Sequence, residues 1–118
     1  MSVKLTPEHF GDVTVIGADG TITLGDGAAT MRDTIRALVD DGKKKLVLVV
    51  ADVSYIDSSG LGELVCGHTY AKRKGAKIKL ATLTKRVYDL LQITKLYVVF
   101  EVFDDAEAAV RSFQQTRE

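Results

Sequence analysis

Lys45-Leu46-Val47-Leu48-Val49-Val50, followed after a polar interval by Tyr55-Ile56-Asp57-Ser58-Ser59-Gly60-Leu61-Gly62, is the stretch on which the fold turns. The first run is apolar from Leu46 onward and rich in branched side chains, the composition of an interior strand covered on at least one face. A loop is expected over Asp52 to Tyr55. Asp57 then stands where a carboxylate accepts from the first free amides of a helix, with Ser58 and Ser59 in its exposed first turn. A phosphate can be added to a hydroxyl at such a place without opening a core. No catalytic base neighbours the two serines in sequence, which favours a serine acted on by another protein over one that acts on a substrate.

Upstream, Val13-Thr14-Val15-Ile16 reads as a short strand, and Ala18-Asp19-Gly20 as a reversal leading to Thr21-Ile22-Thr23-Leu24, a hairpin or irregular strand pair. Asp26 is a candidate cap for a helix in which Met31, Ile35, Leu38 and Val39 recur at helical spacing, ended by Asp41-Gly42. Downstream of Leu61, Leu64, Val65 and His68 share a helical face, Lys72, Arg73 and Lys74 suit the negative end of the helix dipole, and Gly75 stops the helix. Ile78 and Leu80 alternate with Lys77, Lys79 and Ala81, which predicts a strand burying one face near the sheet edge. Thr84 is a cap for a helix carrying Val87, Leu90 and Leu91, and Tyr97 to Phe103 has the composition of a further strand. Asp104 begins the last helix with a capping-box spacing to Glu107, and Ala106, Ala109, Val110 and Phe113 form its apolar side. The tail Thr116-Arg117-Glu118 has no comparable anchor, and Pro7 interrupts none of these elements.

Strands alternating with helices at crossover lengths place the chain in the α/β class, with an initial hairpin that makes the sheet mixed. No linker or repeat divides its 118 residues, so a single domain over residues 1–118 with weakly anchored ends is expected. The composition is 46% hydrophobic and 27% charged, with 16 basic residues against 16 acidic ones, which points to neither disorder nor a nucleic-acid-binding field. The runs Lys43 to Lys45 and Lys72 to Lys74 lack interleaved aromatics and read as solvated faces. The lone Cys66 excludes an intramolecular disulfide, and the beginning of the chain shows neither an apolar signal region nor a window of about 18 apolar residues; a cytoplasmic location is expected.

Enzymatic readings are poorly supplied. His68 lies ten positions beyond Ser58 on the same expected helix, too far for a Ser-His pair, and His9 sits in a weakly organised beginning. Cys66 and His68 point to different helical faces and lack the spacing of a zinc site. Gly60-Leu61-Gly62 has no following Lys-Ser/Thr element of a phosphate-binding loop, and Gly17-x-x-Gly20 is no dinucleotide fingerprint. No cofactor or metal is therefore expected. Gly60, Gly62 and Gly67 admit two readings, close approach by a partner backbone or helix-to-sheet packing.

From Asp52-Val53-Ser54-Tyr55-Ile56-Asp57-Ser58-Ser59-Gly60-Leu61-Gly62 the chain resembles the STAS domain family, and in particular bacterial anti-sigma factor antagonists. Lys85-Arg86-Val87-Tyr88-Asp89-Leu90-Leu91 and Ile93-Thr94-Lys95-Leu96 are similar to that family's later helix and its exit, whereas the connection Thr21 to Asp26 departs from its more acidic pattern. The resemblance implies a compact domain with a small mixed sheet and helices mainly on one face. It implies Ser58 as the phosphorylation site, and Asp57, Ser58, Ser59, Gly60 and Gly62 as a surface for partner binding. The implied partners are an anti-sigma factor that is a serine kinase, which uses the ATP, and a serine phosphatase; no direct nucleic-acid contact follows. The chain would be a binding module and not an enzyme. Other STAS domains serve as scaffolds or as subunits of lipid-transport complexes, which is the alternative.

Overall fold

The computed structural model describes residues 3–114, and so leaves the tail Thr116-Arg117-Glu118 outside the described residues. Five strands form one sheet in the order β1 (Val3–Phe10), β2 (Val13–Ile22), β3 (Lys45–Ile56), β4 (Lys77–Ala81) and β5 (Val102–Phe103). β1 and β2 are antiparallel and all later neighbours are parallel, a mixed sheet. The helices are α1 (Asp26–Asp40), α2 (Ser58–Arg73), α3 (Lys85–Thr94) and α4 (Ala106–Gln114).

Because each parallel strand is added on the same side of its predecessor, crossovers of constant right-handedness stack their helices on one face. Met31 and Ile35 of α1, Leu61 and Leu64 of α2, and Val87 and Leu91 of α3 accordingly share a core with Ile16, Leu48 and Ile78 of the sheet. Among the described residues only α4, which follows the last strand, reaches the opposite face, where Ala109 and Phe113 pack on Val13, Val47 and Ala81.

The hairpin lies earlier than the sequence suggests. Ala18 to Gly20 does not reverse the chain; β2 runs through it, and the turn is at Gly11, whose φ of 63° suits glycine. Val3–Phe10 is therefore an edge strand, and Pro7 is accommodated there because an edge leaves an N–H position free of the ladder.

Asp52 to Tyr55 is strand and not loop. Opposite Gly17 to Asp19, β3 spends Val49 to Asp52, and opposite Gly20 to Thr21 it spends Val53 to Tyr55, so it carries an extra residue at each of two bulges. Each bulge shifts the side-chain parity, which is why Val50, Val53 and Ile56, three apart, all enter the same core. A strand whose inward residues repeat every third position does not look like one in sequence.

Three further expectations are corrected. β4 lies next to the edge strand β5, as its pattern suggested, but it is buried on both faces and not on one, since α4 covers the side bearing Lys79 and Ala81. Most of Tyr97 to Phe103 is a 3-10 turn, Leu96–Val98, and a short approach to the two-residue β5. The cap of α4 is Asp105, whose Oδ1 accepts from the Ala108 amide at 2.8 Å, rather than Asp104.

Candidate functional site

β3 delivers Asp57 to the mouth of α2, and the carboxylate is fully committed there. Oδ1 accepts from the Gly60 amide at 2.8 Å, as a helix cap does, and Oδ2 accepts from the Leu24 amide at 3.1 Å, which pins the β2–α1 connection to the same point. The Gly60 amide, and then the Leu24 amide, hold the Asp57 carboxyl below its ordinary value, so it is ionised at neutral pH. The backbone of Asp57 donates in turn to the Ile22 carbonyl at 3.3 Å.

The end of β2 receives two helix starts at close range. A Cβ on Gly60 would lie 2.0 Å from the Ile22 carbonyl oxygen, and one on Gly27 of α1 would lie 2.3 Å from that of Thr21. Gly60 is buried; it lets α2 seat against the sheet and thereby sets the height of the serines. Gly67, further along, lets α2 close on Ile35 of α1. Gly62, by contrast, is exposed with open space beyond it.

Ser58 is exposed and Ser59 partly so. Ser58 and Gly62 are one helical turn apart and share a face, so bare backbone adjoins the hydroxyl. Two neighbours were missed from sequence. Leu24 is 80% exposed beside Asp57, held out by the hydrogen bond from its own amide. Beyond the end of β3, Ile56, Arg86, Leu90 and Ile93 line a groove of about 390 Å³, with the Arg86 guanidinium 3.8 Å above the Tyr55 ring and Ile93 79% exposed. The apolar residue in Leu24-Gly25-Asp26, framed by connection chemistry, was the one available signal for Leu24; the groove needs two distant segments and had none.

Ser58 and His68 are separated by about 15 Å of helix. The His68 ring meets Phe100 edge-on at 5.1 Å between centroids, and its Nδ1 is buried without a partner among the described residues. Cys66 is exposed. Among the described residues, no three His, Cys, Asp or Glu side chains are grouped to hold a metal ion, and no helix is long and apolar enough to cross a membrane.

The sequence model of the STAS domain matches residues 4–109. The anti-sigma-B factor antagonist of Bacillus subtilis (strain 168) is 32% identical over 84 residues, 71% of this chain and 76% of that protein. Among solved structures, an anti-sigma factor antagonist from Mycobacterium paratuberculosis has a TM-score of 0.86 at 19% identity, over 97% of this chain and 96% of that one. The Bacillus cell fate determinant SpoIIAA in its phosphorylated form has a TM-score of 0.72 at 16% identity, over 93% of this chain and 99% of that one. These two likenesses speak for the fold, while the match over residues 4–109 speaks for descent: this chain, with Asp57 and Ser58 at the mouth of α2, belongs to the STAS domain family.

Proposed function

We propose that the protein is an anti-sigma factor antagonist, which binds an anti-sigma serine kinase while Ser58 is unmodified and is released when that kinase phosphorylates Ser58. The observation that carries this reading is the exposed Ser58 hydroxyl beside a carboxylate whose two oxygens are already engaged. The name of the Bacillus subtilis relative, an anti-sigma-B factor antagonist, supports the partner class.

The electrostatics support a switch without refolding. A phosphate adds roughly −1.5 to −2 charges and is ordinarily welcome at a helix N-terminus. Here Asp57 already occupies the amides of that first turn, so the new anion gains little from them and stands beside a resident carboxylate. Its charge is left at the surface, where an apposed partner must desolvate it. Leu24 and the flat backbone at Gly62 supply the apolar and close-approach parts of the contact. ATP belongs to the kinase, a serine phosphatase restores the binding form, and this chain performs no catalysis of its own.

The test is incubation with a candidate anti-sigma kinase and ATP, followed by mass mapping and binding before and after. Ser58→Asp is expected to weaken kinase binding at least tenfold, about 1.4 kcal/mol, while Ser58→Ala binds normally and takes up no phosphate. Modification elsewhere with both variants binding as wild type would remove Ser58 from the mechanism. Stable co-assembly with transport proteins and no ATP-dependent modification would favour the scaffold or lipid-transport role.

A further inference from the structure

At the end of the sheet remote from Ser58, Lys45 and Lys77 begin β3 and β4 as directly paired residues, and Lys79 follows Lys77 on the same face. Like charges paired across strands are destabilising, and a helix-covered strand position is filled at lower cost by an apolar residue. Yet Lys79 is 4% exposed under α4. Its Nζ lies 4.1 Å from the centroid of the Phe113 ring, donates to Ser112 Oγ at 2.7 Å and stands 3.3 Å from Glu101 Oε1.

The same Glu101 carboxylate takes Lys77 through its other oxygen, so two ammonium groups straddle one carboxylate. Lys45 pairs with Asp12 at 2.7 Å, and the Lys44 ammonium has a neutral partner, the Lys74 carbonyl at 2.7 Å. Among the described residues, four ammonium groups thus face two carboxylates, on a chain whose formal net charge is zero. They line a cleft of about 540 Å³ with Glu101 and Phe113 in its wall. A concave surface with a surplus of one sign against an apolar wall focuses its field on an incoming counter-ion.

We propose that this cleft binds a phosphate-class dianion, seated between Lys77 and Lys79 where the Glu101 carboxylate now lies. The surplus of two positive charges matches the ligand. Glu101 is half exposed, so its carboxylate can turn out to solvent while an anion takes its place between the two ammonium groups, whereas Lys79 is fixed by Ser112 and the Phe113 ring. Free phosphates and the phosphomonoester headgroup of phosphatidic acid present the same dianionic chemistry. The site is separated from Ser58 by the length of β3, roughly 35 Å, so it stands or falls independently of the Ser58 switch.

The experiment is a chemical-shift titration of the whole protein with pyrophosphate at low salt, beside co-sedimentation with vesicles containing phosphatidic acid. Saturable one-to-one shifts centred on Lys77, Lys79 and Ser112 are expected. Lys79→Met and the surface variant Lys77→Gln should each weaken binding about tenfold, and Glu101→Gln should tighten it. The same ranking seen only with vesicles assigns a headgroup as the source; seen with pyrophosphate, it assigns a soluble phosphate. Absence of saturable binding in both arms, equal affinity in wild type, Lys79→Met and Lys77→Gln, or no gain in Glu101→Gln would overturn the assignment.

Discussion

Glycines two residues apart in α2 do opposite things. Gly60 has the Ile22 carbonyl oxygen 2.0 Å from where its Cβ would be, while Gly62 has nothing within 4 Å. Gly60→Ala must push α2 off β2 and is expected to cost about 1–3 kcal/mol, read from the denaturation midpoint. Gly62→Ala should instead stabilise by about 0.5–1 kcal/mol, since it removes only backbone freedom. Because Gly62 lies beside Ser58, the same Gly62→Ala variant should bind the kinase less well despite its greater stability. The capping role of Asp57 was legible in sequence, because the rule involves residues three apart; its second bond, to Leu24, was not, because it joins residues 33 apart.

Among the elements, α4 alone shields the second face of the sheet within the described residues. Phe113, 5% exposed, packs there with Ala109 against Val13, Val47 and Ala81, and it also walls in Lys79. Phe113→Ala is expected to cost about 3–5 kcal/mol and to raise amide exchange in α4 ahead of α1 to α3, as measured by hydrogen exchange. Uniform exchange across all four helices would show the two faces to be one cooperative unit. The apolar side of α4 was plain from its spacing, but the consequence for β4 was not: alternation reports which residues are polar, and Lys79 is polar only at its tip.

For the molecule as a whole, His68 and Glu101 both make the fold acid-labile. Desolvation, then Lys72 and Lys77, depress His68 below its ordinary 6.5, so the unfolded chain binds a proton that the folded chain resists. The contribution of His68 is complete above about pH 6.5 and is lost as pH falls through the lower folded value. Glu101 is depressed below 4.5, first by its hydrogen bond from Lys77, and its contribution is lost further down by the same sign. Denaturation midpoints should therefore decline in two stages on acidification. His68→Leu, which replaces a ring whose Nδ1 has no partner among the described residues, should abolish the upper stage alone. An unchanged upper stage in that variant would assign it elsewhere.

The class of fold, the order of most elements from α1 onward and the exposed serine after a capping aspartate were legible in the chain alone, because each rests on interactions among residues a few positions apart. It took packing between distant segments to run β3 through two bulges, to turn β4 into a covered strand beneath α4, and to set Leu24 and Arg86 beside the end that carries Ser58. Those features arise where segments tens of residues apart are pressed together, and burial there overrides local pattern.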